Sequence, residues 1–177
     1  PPPLSHPGGG LRRMDERDRA LYRLAGSQHA LVTRWQLRAA GWTDSQIDRA
    51  VRAGRLIAVH SGVFRVAGAP VTSYQRILAS TLAARGPASH RAATSIWGAE
   101  LGPTPPCEVL VSGGRNPRPS GVIVHRTWTL DPRDVVRRHG ILVTNPLRTL
   151  VDLGAVATPE QVELALDSFT SRKLITV

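Results

Sequence analysis

Two helix-start signals near the N-terminus constrain the fold more than any other feature of the chain. Thr33-Arg34-Trp35-Gln36 and Thr43-Asp44-Ser45-Gln46 each place a threonine three residues before a glutamine, which is the pattern of a capping box. Gly41 lies between them, where a residue just past a helix end favours glycine. The sequence therefore predicts two short helices joined by a tight turn.

The elements around this pair complete a recognisable order. A helix is predicted to begin at Asp15 and end at Gly26, and a short extended stretch follows at His29 to Val32. After the second capped helix, Ser61-Gly62 separates two β-type runs, Leu56 to His60 and Val63 to Val66, as in a hairpin. Helix, short strand, two helices and hairpin within residues 15–67 predict a winged helix-turn-helix.

The remainder of the chain, residues 71–177, has the pattern of a second, α+β domain. Two helices are predicted first, one through Tyr74 and one from Ser89 to Trp97, and two more follow Thr144-Asn145-Pro146 and the capping box at Thr158. Four strand candidates between these helices predict a small antiparallel sheet; they are Glu108–Ser112, Val122–Trp128, Asp134–Arg138 and Ile141–Thr144. The Pro- and Gly-rich residues 1–14 are predicted to be a flexible tail.

The charge of the chain indicates a polyanionic partner. There are 23 basic and 13 acidic residues, a formal net charge of +10, and every basic residue except Lys173 is arginine. Neutralising nucleic-acid phosphates releases counterions, so such a charge favours nucleic-acid binding. The surplus is spread along the chain. A GC-rich genome, which favours arginine codons, would explain such a surplus equally well. Only the positions of particular arginines therefore bear on DNA binding.

The predicted winged helix places polar and basic residues where DNA contacts are expected. With Ile47, Ala50 and Val51 facing the core, the second capped helix turns its other face outward as a recognition helix. The predicted DNA-binding residues lie on this helix, at the preceding helix start and around the hairpin: Arg34, Thr43, Ser45, Gln46, Arg49, Arg52, Arg55, His60 and Arg65. The alternative is a solvated basic face used for protein contacts.

Two segments carry a resemblance to a known family. LVTRWQLRAAGWTDSQIDRAVRAGRLIAVHSGVFRVAG resembles the N-terminal winged helix of AbiEi-type antitoxins of type IV toxin–antitoxin systems, and ILVTNPLRTLVDL resembles a later motif of that family. The resemblance implies a transcriptional repressor that autoregulates its toxin–antitoxin operon and counteracts a nucleotidyltransferase-like toxin. Double-stranded operator DNA would then be the partner. The motif residues Thr144, Arg148, Thr149 and Asp152 would belong to the antitoxin domain, although Arg148 and Asp152 also fit a simple i,i+4 ion pair.

The sequence offers little support for catalysis. Its histidines have no H-x-x-x-H spacing, no D-x-D occurs, and Lys173 has no paired carboxylates before it. The lone Cys107 fits a buried structural thiol, and no apolar run is long enough to span a membrane. We expect a cytoplasmic protein that is not an enzyme and has no metal or cofactor.

Two other functions remain open from the sequence. The chain is compatible with a protein-interaction module in which the winged helix serves dimerisation. It is also compatible with the non-catalytic N-terminal part of a longer protein, because many relatives of AbiEi antitoxins carry a very-short-patch-repair-like nuclease domain further along the chain.

Overall fold

The computed structural model of the protein describes residues 15–102 and 106–176. The predicted tail, residues 1–14, lies outside the described residues, and so do positions 103–105. No helix in the described part of the chain is both long enough and apolar enough to cross a membrane.

The first unit has the predicted order of elements. Three helices and three strands follow one another as α1 (Glu16–Ser27), β1 (Leu31–Thr33), α2 (Arg34–Ala39), α3 (Asp44–Arg52), β2 (Leu56–His60) and β3 (Val63–Val66). The strands form one antiparallel sheet in the order β1-β3-β2. This is a winged helix-turn-helix, with β2 and β3 as the wing.

Capping boxes begin the helices where the sequence predicts them. The Thr33 and Thr43 hydroxyls accept hydrogen bonds from the backbone N–H groups of Gln36 and Gln46, and each glutamine side chain accepts from the backbone N–H of its threonine. Thr158 and Gln161 form the same pair at the last helix. Each cap contributes about 1 kcal/mol to helix stability, which matters most for a helix as short as α2.

The described residues of the second unit form four helices and four strands. In chain order they are α4 (Ser73–Ala84), α5 (His90–Trp97), β4 (Cys107–Ser112), β5 (Val122–Thr127), β6 (Val135–Arg138), β7 (Ile141–Thr144), α6 (Pro146–Leu153) and α7 (Pro159–Ser171). A short 3-10 turn at Pro132–Asp134 precedes β6, so Asp134 lies outside the strand predicted to include it. The α+β fold class is confirmed.

One strand pairing differs from the prediction. β6 and β7 pair antiparallel as expected, whereas β4 and β5 pair parallel, with Cys107 opposite Val122 and Ser112 opposite Thr127. The connection between them, residues 113–121, has a reach of roughly 30 Å when extended, which exceeds the length of roughly 20 Å of a six-residue strand. The chain can therefore return to the start of β4 before β5 begins.

The two units are joined through both faces of the β1–β3 pair. Val32 and Phe64 belong to the hydrophobic cluster of the winged helix, together with Leu37, Ile47 and others. Leu31 and Val63 point to the opposite face, because neighbouring residues of a strand alternate in direction, and they pack into the cluster built around α4, α5 and β7. The predicted boundary at residues 67–70 therefore separates segments whose cores meet at one sheet.

Polar contacts reinforce this junction. The Gln75 side chain on α4 donates to the backbone oxygen of His29 at 2.8 Å, and the His29 ring lies 2.7 Å from the backbone oxygen of His139 in the β6–β7 turn. The Tyr74 ring lies between the His29 and His139 rings, with centroid distances of 5.9 and 4.8 Å. The β6–β7 turn is thus held against the winged helix.

Leu31 belongs to β1 of the first unit and is fully buried in the hydrophobic cluster of the second unit. Its truncation should therefore destabilise both units together. We expect Leu31→Ala to lower the free energy of unfolding by about 2–5 kcal/mol, the usual cost of a large-to-small core change. Urea unfolding followed by tryptophan fluorescence and by circular dichroism should give one transition at a lower urea concentration. Ile57→Ala, on the more exposed β2, is the control; two separated transitions in the wild type would contradict the shared core.

Candidate nucleic-acid interface

Helix α3 presents the basic face expected of a recognition helix. Ile47 and Ala50 are fully buried, while Ser45, Arg49 and Arg52 are exposed on the outer side. Within the described residues, neither Arg49 nor Arg52 forms an ion pair, and the Arg52 Nε donates only to the backbone oxygen of Asp48, at 3.4 Å. Two guanidinium groups that have no carboxylate partner among the described residues therefore lie on the face predicted to contact DNA.

The first turn of α3 is occupied by its own cap. The Gln46 Oε1 accepts from the backbone N–H of Thr43 at 2.9 Å, and the Thr43 Oγ1 accepts from the backbone N–H of Gln46 at 3.3 Å. Both residues were predicted as DNA contacts, and their acceptor atoms serve the helix instead. The Gln46 amide nitrogen and the Ser45 hydroxyl are the groups of this turn that have no such partner among the described residues.

The wing is short and sharply turned. Gly62 has φ +70°, a conformation that favours glycine, and the β2–β3 register shifts between Ala58 and His60. His60 is half-buried at the end of β2, and burial lowers the pKa of its imidazole. Burial therefore favours the neutral form of the ring, which can donate or accept a hydrogen bond.

A groove lies between α3 and the wing. This α3–wing groove has a volume of about 490 Å³ and is lined by Arg34, Asp48, Arg52, His60, Ser61 and Gly62, with apolar side chains at its base. Three of the predicted DNA-binding residues line this groove: Arg34 at the start of α2, Arg52 of α3 and His60 of β2. The fold thus brings the recognition helix and the wing together as the sequence predicts for a winged helix.

The guanidinium group of Arg34 is paired within the protein. Its two terminal nitrogens donate to Asp44 Oδ1 at 3.0 Å and to Asp48 Oδ1 at 2.7 Å, and the guanidinium carbon lies 5.5 Å from the Phe64 ring centroid. The hydrogen bonds to Asp48 and then Asp44 raise the pKa of the guanidinium. Its positive charge is balanced by two carboxylates, and the sequence pattern does not predict this pairing.

The remaining predicted arginines lie away from the groove. Arg55 is 3.8 Å from Asp18 of α1, and its guanidinium lies over the Trp42 ring. The Arg65 Nη1 donates to the backbone oxygen of Ala69 at 2.5 Å, at the junction with the second unit. Neither residue lines the α3–wing groove.

A second depression adjoins the wing from the other side and was not predicted. This basic cleft, of about 840 Å³, is lined by Arg34 and Arg38 of α2, by Arg85 and Arg137 of the second unit, and by the wing tip. Its lining also includes Trp35, whose side chain is 65% exposed, and contains no Asp or Glu. Residues 38, 85 and 137 are far apart in sequence, so no local pattern groups them.

The predicted antitoxin-domain motif forms an internal network in the second unit. The Thr144 and Thr149 hydroxyls are buried and lie 2.8 Å apart, and the Arg148 Nε donates to Asp152 Oδ1 at 2.8 Å. Arg148 also contacts Asp134 Oδ2 at 3.4 Å. These contacts attach α6 to β7 and to the turn before β6, and they use most of the polar groups of the motif.

Two histidines that are distant in sequence meet in the second unit. The rings of His90 and His125 stack with centroids 3.6 Å apart, and His125 Nε2 lies 3.4 Å from Oε1 of the buried Glu108. Burial raises the pKa of Glu108, but the contacts with His125 and with the backbone N–H of Arg91 outweigh it and the pKa is lowered. Within residues 15–102 and 106–176, no three His, Cys, Asp or Glu side chains are arranged to hold a metal ion.

Comparison with known proteins agrees with the class defined by the fold. A family model described as "Transcriptional regulator, AbiEi antitoxin" matches residues 19–67, which are most of the winged helix-turn-helix. The resemblance to AbiEi-type antitoxins, which are transcriptional regulators, is thereby confirmed over this part of the chain.

The crystal structure of the RV2827C protein from Mycobacterium tuberculosis is similar over 93% of this chain and 75% of that one, with 20% sequence identity and a TM-score of 0.46. No curated protein matches the sequence.

The pairing of Arg34 with Asp48 leads to a prediction for DNA affinity. Asp48→Asn removes a negative charge from the α3–wing groove and frees one end of Arg34, so we expect duplex DNA to bind about three- to tenfold more tightly at low salt. The measurement is fluorescence anisotropy with a labelled duplex. Asp131→Asn removes an exposed carboxylate that pairs with Arg133 in the second unit, and equal gains from both variants would contradict the specific role of Asp48.

The stacked histidines predict a pH dependence of stability. Burial, and then the charge of His125, lower the pKa of His90 to about 4, although Asp152 and Glu108 act to raise it. The unfolded state, with a pKa of about 6.5, binds more protons between these values, so stability is complete above about pH 6.5 and falls as the pH drops toward 4. The slope from this group is at most about 1.4 kcal/mol per pH unit.

His90→Asn removes this group while suiting its φ of +50°, which asparagine tolerates. Urea unfolding between pH 5 and pH 6.5 should then show a shallower fall in stability than in the wild type. The matched control is His139→Asn, at an exposed position of similar φ. A wild-type slope that survives in His90→Asn would assign the pH dependence to other groups.

Proposed function

We propose that this protein is a sequence-specific DNA-binding repressor of the antitoxin type, which binds double-stranded operator DNA. The observation that carries the proposal is that Arg49 and Arg52, on the outer face of α3 beside the wing, form no ion pair within the described residues, in a unit that matches a family of transcriptional regulators. In such an arrangement α3 enters the major groove and the wing meets the adjoining backbone.

Each candidate residue has a distinct role in this proposal. Arg49, Arg52 and Ser45 read or position bases, and the Gln46 amide donates to a base edge or a phosphate. His60 contributes a neutral hydrogen-bonding group at the wing. The paired arginines Arg34, Arg55 and Arg65 supply less, because their guanidinium groups have partners within the protein.

The protein acts by binding rather than by catalysis in this proposal, and it works where the DNA is, in the cytoplasm. As an antitoxin-type repressor it would bind upstream of its own operon and limit its own synthesis. It would also counteract a nucleotidyltransferase-like toxin encoded in that operon, as the family resemblance implies.

The decisive experiment uses the DNA upstream of the protein's own gene. We expect Arg49→Ala/Arg52→Ala to weaken binding to that duplex by about 10- to 100-fold in a mobility-shift titration, because two charge-bearing contacts are lost. Alanine has a high helix propensity, so α3 should remain folded, which circular dichroism verifies. Wild-type binding in the double variant would exclude α3 as the recognition helix.

The matched control for this test is Arg76→Ala/Arg126→Ala. Both positions are exposed, and neither lines the α3–wing groove or the basic cleft, so the variant loses the same net charge away from these two surfaces. A fall in affinity equal to that of the α3 variant would show that the loss of overall charge, and not the loss of the α3 contacts, weakens DNA binding.

A second candidate, protein binding, is favoured by the surface of the last two helices. Leu147 and Val151 of α6 are 63% and 73% exposed, and Leu164 of α7 is 52% exposed. Apolar side chains of this size on neighbouring helices suit a protein interface. Salt separates the two functions, since DNA binding weakens steeply with rising salt while an apolar interface does not.

A further inference from the structure

A pocket separate from the α3–wing groove and the basic cleft lies between the winged helix and the second unit. This inter-unit pocket has a volume of about 600 Å³, which lies within the range of small-molecule binding sites. Val59, His60 and Arg65 line it from the wing, and Arg76, Ala79 and Cys107 line it from the second unit. Both units therefore contribute to one concave surface.

The lining of the inter-unit pocket includes a buried apolar surface. Leu31 and Ala79 belong to the hydrophobic cluster around α4 and are 0% and 4% exposed. The buried polar side chains of the lining have partners inside the protein, since the Gln75 Nε2 donates to the backbone oxygen of His29 at 2.8 Å and the Ser80 Oγ donates to that of Arg76 at 3.0 Å. This part of the pocket suits the apolar body of a ligand.

Positive charge accompanies this apolar surface. Arg65 and Arg76 both line the inter-unit pocket, and none of its described lining residues is Asp or Glu. Arg76 is exposed and forms no ion pair within residues 15–102 and 106–176, and its Nη2 donates to the Ser73 Oγ at 3.4 Å. A guanidinium group matches a carboxylate because its N–H donors form a fork. The lining therefore complements a small organic anion.

The inter-unit pocket shares part of the wing with the α3–wing groove. Val59 and His60 of β2 line both depressions, and the β2–β3 register shifts between Ala58 and His60. An anion bound in the pocket places negative charge beside the wing, where it opposes the approach of DNA phosphates. Two ligands that act on one strand in this way lower each other's affinity by the same factor.

We propose that the inter-unit pocket binds a small organic carboxylate with an apolar body, and that the bound anion weakens the binding of duplex DNA through the shared strand β2. The protein would then be a repressor whose affinity for its operator responds to a small molecule. The binding of the carboxylate stands on the pocket alone, whereas its effect on DNA rests on the proposed DNA-binding function.

The first test compares an aromatic carboxylate with its uncharged amide. Indole-3-acetate and indole-3-acetamide carry the same ring, so isothermal titration calorimetry of the two isolates the contribution of the charge. We expect the carboxylate to bind about tenfold more tightly or better. Cys107 provides a second readout, because it is the one cysteine of the chain and lines the pocket. Indole-3-acetate should slow its alkylation by iodoacetamide, measured by intact mass.

Two variants change the charge of the pocket without removing its core. Arg76→Gln deletes a cation and keeps a residue of high helix propensity in α4. Val71→Asp adds a carboxylate at a lining position that is 62% exposed, close to the start of α4, where negative charge is favourable. Each should weaken the binding of indole-3-acetate about fivefold or more and change that of indole-3-acetamide little.

The matched control for these variants is Arg23→Gln. Arg23 is an exposed arginine of α1 that does not line the inter-unit pocket, so this variant loses the same unit of charge elsewhere. It should bind indole-3-acetate as the wild type does. Circular dichroism verifies that all three variants are folded.

The second test measures the effect on DNA by fluorescence anisotropy with the duplex from upstream of the gene. Saturating indole-3-acetate should weaken duplex binding about three- to tenfold, while indole-3-acetamide at the same ionic strength should not. The effect should be lost in Arg76→Gln at the same carboxylate concentration. Saturating duplex should in turn weaken carboxylate binding by the same factor.

The outcomes separate the pocket from the DNA-binding function. The proposed site is overturned if indole-3-acetate does not bind, binds no better than the amide, leaves Cys107 alkylation unchanged, or binds both pocket variants as it binds Arg23→Gln. Carboxylate binding that leaves duplex affinity unchanged overturns the proposed link through β2. A wild type that binds no duplex contradicts the DNA-binding function, while calorimetry and Cys107 alkylation still decide whether the pocket binds the carboxylate.

Discussion

The structure depends on the burial of both faces of the β1–β3 strand pair. A strand directs alternate residues to opposite sides, so Val32 and Phe64 enter the core of the winged helix while Leu31 and Val63 enter the core built around α4. A winged-helix sheet that turned its second face to water would show polar residues there. Because Leu31 and Val63 are apolar, this face of the sheet has to be covered, and α4 and the β6–β7 turn cover it.

This arrangement has a consequence for the surface that faces a nucleic acid. Because the second unit is packed directly on the β1–β3 pair, its arginines stand next to the wing instead of at the end of a linker. Asp44 and Asp48 pair with Arg34, so among the described residues that line the α3–wing groove Arg52 is the arginine without an ion pair. The second unit adds Arg85 and Arg137 on the other side of the wing. No single segment of the sequence holds the overall charge of +10, and folding brings part of it together beside the wing.

The local elements were predictable where a residue type acts on its immediate neighbours. Three capping boxes form as predicted, since a threonine and a glutamine three residues apart can satisfy one another's backbone N–H groups. The hairpin at Ser61-Gly62 follows from the freedom of glycine at positive φ. The parallel pairing of β4 and β5 was not predictable, because a Gly- and Pro-rich connection is compatible both with a hairpin and with a return to the start of the strand. The ion pairs of Arg34 were equally unpredictable from the sequence, because its two carboxylate partners lie 10 and 14 residues away.

The sequence by itself therefore determined the order of elements in the winged helix, the outer face of α3 and the excess of positive charge, all of which arise from interactions over a few residues. Only the tertiary structure decided which charges remain available. Arg34 and Arg55 form ion pairs within the protein, and Arg65 donates to a backbone oxygen. Packing of the second unit places Arg85 and Arg137 beside the wing. The physical reason is that a Coulomb interaction depends on distance in space, and folding creates short distances between residues that the sequence keeps far apart.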